Sequence, residues 1–119
     1  MREIKFRVWD GCGIMTEPMT LTDIVYSDNN GYIDTQNDDF IFIQYTGLKD
    51  KNGKEIYEGD ILTHDDEREY PAPLVKVIWY NEQAKFYTEG VSFSGDLDEW
   101  NGCEVIGNIY ENPELLNRI

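Results

Sequence analysis

The sequence predicts a mainly β protein: a small barrel-like or sandwich domain that closes on a short helical turn. Three observations carry this reading. Short apolar runs, about six to eight of them, alternate with turn signals every ten or so residues. Eight Tyr, five Phe and three Trp enrich the chain in residues that suit the half-buried surface of a sheet. A length of 119 residues, 40% of them hydrophobic, is enough for one core and suggests a single domain over residues 1–119.

The elements follow in order. Ile4, Phe6 and Val8 alternate with Lys5 and Arg7, the period-2 pattern of a strand with one buried face. Trp9 leads into the turn DGCG. Met15 to Tyr26 is ambiguous, because Leu21, Ile24 and Val25 have helical spacing while the β-branched content suits an irregular strand, the preferred reading. Ser27 to Gly31, reading SDNNG, is a turn by composition, and Tyr32–Ile33 is a candidate short strand. FIFIQYTGL reads as a strand buried on both faces at its start. Asn52-Gly53 then signals a type I′ hairpin, and Glu58-Gly59-Asp60 a second bend before Ile61-Leu62-Thr63. His64 to Pro73 is charged and proline-interrupted, hence an exposed loop. LVKVIWY is a strand, Asn81 to Ala84 turns it into KFYTEGVSF, and Gly95 to Gly102 is loop-like apart from Leu97 and Trp100. The last strand is CEVIGNIY, with Gly107 marking a bulge or a close backbone approach. Asn112, Pro113 and Glu114 form a helix start, with Leu115, Leu116 and Ile119 on one face.

Charge narrows the function. Ten Lys and Arg against 24 Asp and Glu give a net charge of −14, which repels a phosphate backbone and favours basic partners. Direct nucleic-acid binding is not expected. No apolar run reaches the about 18 residues of a membrane span, and the opening MREIKFRVWD interleaves charge with apolar residues, so a cytoplasmic location is expected. Cys12 and Cys103 read as free thiols in or near the core, with a single bridge left open as the alternative.

Tests for chemistry mostly fail. A phosphate loop starting at Gly47 needs its second glycine where Asn52 stands, and its magnesium-binding hydroxyl is replaced by Glu55. A calcium loop centred on Gly53 would put Leu48 and Gly59 where carboxylates are required. His64, followed by Asp65, Asp66 and Glu67, could serve a metal site or act as a general base, and the plainer reading is the start of a polar loop; among 24 acids some carboxylate pair always has a suitable separation, which singles out none. There is no Gly-x-Ser-x-Gly elbow and no HExxH. No cofactor is expected. The aromatics read mostly as core residues, with a subunit interface as the alternative for Trp79, Tyr80, Phe86 and Trp100, since Trp79 and Tyr80 must point to opposite faces of their strand.

Three blocks, MREIKFRVWD, IQYTGLKDKNGKEIYEGDIL and CEVIGNIYENPELL, together resemble the YopX-like protein family of bacteriophages and prophages. The resemblance implies a mostly β fold with a barrel-like core, a phage or mobile-element origin in a bacterial host, and homo-oligomers; it implies no activity. The positions matching its central motif are Tyr45, Thr46, Gly47, Leu48, Asp50, Gly53, Tyr57, Glu58, Gly59 and Asp60. Gly47 and Gly59 are expected to relieve crowding where the sheet curves and Asp50 to bond local turn amides, while Glu58 and Asp60, two acids flanking the bend, are candidates to face a partner. The leading expectation is a non-enzymatic accessory protein that self-associates and contacts other proteins. The alternatives are an acidic DNA mimic that occupies a basic site on a nucleic-acid enzyme, and a metal-dependent hydrolase centred on His64.

Overall fold

The computed structural model describes residues 3–64, 74–90, 94–97 and 102–119. Among the described residues the strands are β1 (Phe6–Trp9), β2 (Ile41–Lys49), β3 (Glu55–Tyr57), β4 (Asp60–His64), β5 (Leu74–Tyr80), β6 (Lys85–Glu89), β7 (Ser94–Asp96) and β8 (Cys103–Asn108); an α-helix, α1, runs Leu21–Asn29. They form two antiparallel sheets, β1-β2-β3 and β7-β6-β5-β4-β8. The mainly β expectation holds, but the barrel does not close. Closure needs the outer strands of one continuous sheet to pair, and here β1 and β3 flank one sheet while β7 and β8 flank another.

Each sheet has its own apolar centre. Leu62, Val75, Val77, Phe86 and Val105 pack with Ile56 in the larger, and Ile43, Tyr45 and Tyr57 pack with Trp9, Met15 and Tyr110 in the smaller. Among the described residues, main-chain bonds sew the two together at two places. At the β3–β4 bend the Gly59 amide donates to the Val77 carbonyl at 2.8 Å and the Gly59 carbonyl accepts from Ile109 at 2.9 Å; at the β2–β3 hairpin tip the Lys51 amide donates to the Cys103 carbonyl at 3.0 Å.

Several local expectations are corrected. Met15 to Tyr26 is not an irregular strand: isolated bridges join Met15 to Trp9 and Met19 to Phe6, and α1 begins at Leu21. Thr20 caps it, its hydroxyl accepting the Asp23 amide at 3.2 Å while the Asp23 carboxylate accepts the Thr20 amide at 3.0 Å. That reciprocal cap overrides the strand preference of Ile24 and Val25. Ser27 to Asn29 belong to the helix, so the turn shrinks to Asn30-Gly31, and Tyr32–Ile33 pairs with no strand. The Asn52-Gly53 hairpin exists without a type I′ turn. Gly53 alone of the pair has positive φ (81°), and its amide donates to the Asp50 carbonyl. β2 is buried on both faces at Tyr45-Thr46 and not at its start, where Ile41 is exposed. Ser94–Asp96, expected as partly loop, forms β7 on the edge of β6. Gly107 meets its expectation: β8 shifts register there, and a Cβ on Gly107 would lie 2.5 Å from Asn112 Oδ1. The C-terminal Pro113–Arg118 is a 3-10 helix, and the Asn112 side chain accepts from Asn108 instead of capping it. His64 ends β4; residues 65–73 of the expected loop lie outside the described residues.

Candidate functional site

The motif residues build the hairpin and the bend from the inside. Thr46 is buried, and its hydroxyl donates to the Ile56 carbonyl at 2.7 Å and accepts the Leu48 amide at 3.2 Å, exactly across the register shift that Gly47 permits with φ of 88°. Asp50 closes the tip: its Oδ1 accepts the Asn52 and Lys54 amides, and its Oδ2 reaches the Val105 amide on β8. Burial acts to raise the Asp50 carboxyl, but those amides, Val105 first, and the charge of Lys54 outweigh it and hold it below its ordinary range. Tyr45 and Tyr57 face each other in register with rings 5.4 Å apart, Lys5 lying over the first and Arg7 over the second. Lys5 also pairs with Glu55, which accepts from the Tyr57 hydroxyl.

The bend makes a cleft. Arg7, Lys54, Glu55, Tyr57, Asp60 and Glu111 are among the residues lining a space of about 590 Å³ between β3 and the β8 end of the larger sheet. Asp60 is buried at 4% exposure, so the expectation that it faces a partner is corrected. Its Oδ2 accepts the Tyr57 amide at 2.8 Å across Glu58-Gly59. Burial pushes its carboxyl up to about 7, against the pull of that amide, Arg7 and Lys54. Burial likewise raises Glu58, and raises Tyr110, which is further raised by the Glu58 charge. Most polar groups in the cleft are committed to one another: Arg7 donates to the Thr16 carbonyl and pairs with Glu111, and Glu111 accepts from Asn108. A cleft wired in this way ties β1 to the end of β8 and so holds the two sheets together.

The exposed apolar surface lies elsewhere. On α1, Leu21, Val25 and Tyr26 are 57%, 58% and 64% exposed, and only Ile24 is buried. With Thr22 and Asn29 they line a groove of about 380 Å³. Sequence reading noted the spacing of Leu21 and Val25 but placed them on a strand; the Thr20-Leu21-Thr22-Asp23 capping pattern was the signal that would have found the helix.

Of the four aromatics that were interface candidates, Trp79 is 40% exposed, Tyr80 half-buried against Tyr87 at 5.3 Å, and Phe86 buried in the core with its ring edge-on to Trp79 at 5.0 Å. Phe86 faces inward because it pairs with Trp79 on the face that carries Val75 and Val77. Trp100 lies outside the described residues, as do Asp65, Asp66 and Glu67. Among the described residues no three His, Cys, Asp or Glu side chains converge on a metal position. Both cysteines are free thiols, Cys12 exposed and Cys103 buried. No described helix is long and apolar enough to cross a membrane.

Comparison with known proteins decides the family. The family model described as "YopX protein" matches residues 5–117, nearly the whole chain. The chain belongs to the YopX protein family. The fold is similar to that of protein EF1440 from Enterococcus faecalis, with a TM-score of 0.69 and 30% identity over 98% of this chain and 99% of that one. It is also similar to protein yopX from Bacillus subtilis, with a TM-score of 0.56 and 21% identity over 94% and 95% of the two chains, a likeness of fold. No curated protein matches. In this YopX-family chain Thr46 and Asp60 hold the β2–β3 hairpin and its bend from within, and Asp50 reaches β8 of the larger sheet.

Proposed function

We propose that this YopX-family protein is a non-catalytic accessory protein of phage or prophage origin that works in the bacterial cytoplasm through contacts with other proteins and with further copies of itself. The observation that carries the reading is α1. A nine-residue helix that buries one side chain and leaves Leu21, Val25 and Tyr26 in water gains nothing from that exposure in the isolated chain. Trp79, at the open end of β5, is the contact offered for self-association, as a large aromatic next to a packed core is a typical interface anchor.

Site-specific photo-crosslinking in bacterial cells that carry the gene tests both contacts. A photoreactive side chain at Val25 is expected to trap another protein, one at Trp79 a second copy, and one at exposed Glu82 neither. Adducts from Val25 and Trp79 no more abundant than from Glu82 would overturn the reading; loss of the Trp79 adduct alone would remove self-association from it.

A further inference from the structure

The charge of the chain is not spread evenly. All ten Lys and Arg lie at or before Arg7 or at and after Lys49, and between those two residues stand seven carboxylates and no basic side chain. α1 lies within this wholly acidic stretch.

On a helix advancing about 100° per residue, Leu21, Val25, Asn29, Thr22 and Tyr26 form one continuous stripe. Asp28 falls beside Leu21 on one side of that stripe and Asp23 beside Tyr26 on the other, with Ile24 buried opposite. The surface is therefore an apolar groove fenced by carboxylates on both sides. Its complement is a helix whose apolar ridge is flanked by Lys or Arg.

Resting on the reading that the protein acts through protein contacts, we infer that the α1 groove binds a basic amphipathic helix of a partner protein. A second copy of this chain is disfavoured as occupant, because mating α1 with α1 brings the Asp23 and Asp28 carboxylates of both copies together with no cation between them, on chains that each carry −14. A purely electrostatic partner is disfavoured by Leu21, Val25 and Tyr26, which stay exposed unless apolar side chains cover them.

The test is a titration of the isotope-labelled full chain, followed by amide NMR, with three synthetic probes: a two-faced leucine–lysine helix, the same composition scrambled so that no apolar face forms, and a two-faced leucine–glutamate helix. The leucine–lysine helix is expected to shift the Leu21–Asn29 amides and to lose at least about tenfold in affinity between about 50 and about 500 mM salt. Leu21→Ser/Val25→Ser, at two exposed positions, is expected to weaken it by at least about tenfold with unchanged thermal unfolding, and Asp28→Asn by a few-fold. Equal binding of the scrambled peptide would overturn the inference in favour of charge-only recognition. Binding of the leucine–glutamate helix, shifts outside α1, or dimerisation through α1 would overturn it as well. Any of these beside a positive Val25 crosslink would leave the protein-contact reading intact and remove only the partner's chemistry.

Discussion

The Asp50 carboxylate accepts the main-chain amide of Val105 at 3.0 Å, across 55 residues of sequence. The same group accepts the Asn52 and Lys54 amides, so one side chain shapes the β2–β3 tip and clamps it to the edge of β8. Removing it leaves the buried Val105 amide without an acceptor. Asp50→Ala is expected to lower unfolding free energy by about 2–3 kcal/mol in urea at neutral pH. Because its folded pKa lies below the ordinary value, the stabilisation is present above the unfolded carboxylate range and is lost as pH falls through the folded value. Asp50→Asn should therefore show a shallower acid limb than the parent. A loss for Asp50→Ala within about 0.5 kcal/mol, the range of ordinary surface changes, would show that the clamp contributes nothing.

Asp60 has the opposite sign. Its carboxyl is pushed from 3.8 up to about 7, so between those values the folded chain holds a proton that the unfolded chain has released. Its contribution is fully present below the unfolded pKa and is lost as pH rises through about 7. Asp60→Asn stays neutral throughout and keeps an oxygen for the Tyr57 amide. It is expected to match the parent near pH 4 and to exceed it by about 1–3 kcal/mol at pH 8, measured by urea unfolding at both. A variant less stable than the parent at pH 8 would mean that the carboxylate is stabilised in the fold and the sign is wrong.

How far the fold could be read from sequence followed from how local its causes are. LVKVIWY and FIFIQYTGL announce themselves through β-branched and aromatic runs, and glycine marks both Gly59, where φ is positive, and Gly107, where the Asn112 side chain leaves no room for a Cβ. Closure into a barrel could not be read, because it depends on pairings between strands far apart in the chain. The type of the β2–β3 turn was missed because Asp50 bonds its amides from within and selects a turn that needs positive φ at Gly53 alone. Of the site, Asp50 and Gly59 were legible as turn residues, but the reach of Asp50 to Val105 and the burial of Asp60 are tertiary facts. The α1 surface was obscured because Ile24 and Val25 are β-branched and favour a strand, a preference that only the reciprocal Thr20–Asp23 cap overrides.

Gly59 and Gly53 separate backbone strain from crowding. Both have positive φ, 87° and 81°, but a Cβ on Gly59 would lie 2.8 Å from Tyr110 Cε2, whereas one on Gly53 meets nothing within 4 Å. Gly53→Ala should cost about 1 kcal/mol, the left-handed backbone penalty. Gly59→Ala should cost about 2–4 kcal/mol, since Tyr110 must also move out of the smaller core. Equal losses in chemical denaturation would show that Tyr110 yields freely and that the bend is not packed as tightly as the structure describes.

Thr20 decides whether the proposed docking helix is formed in the free protein. Its hydroxyl accepts the Asp23 amide and its carbonyl the Ile24 amide at 3.1 Å, and α1 has little buried surface to hold it otherwise. Thr20→Ala is expected to cost the helix about 1 kcal/mol, with Thr20→Ser recovering most of it. Because Ile24 is the one buried side chain of the helix, the loss should appear as faster hydrogen exchange at the Ile24 and Asn30 amides, while the β5 and β6 amides remain protected as in the parent. Global destabilisation of all amides together would instead place α1 in the same cooperative unit as the sheets. In that case the groove is a rigid surface and not one whose population a cap can tune.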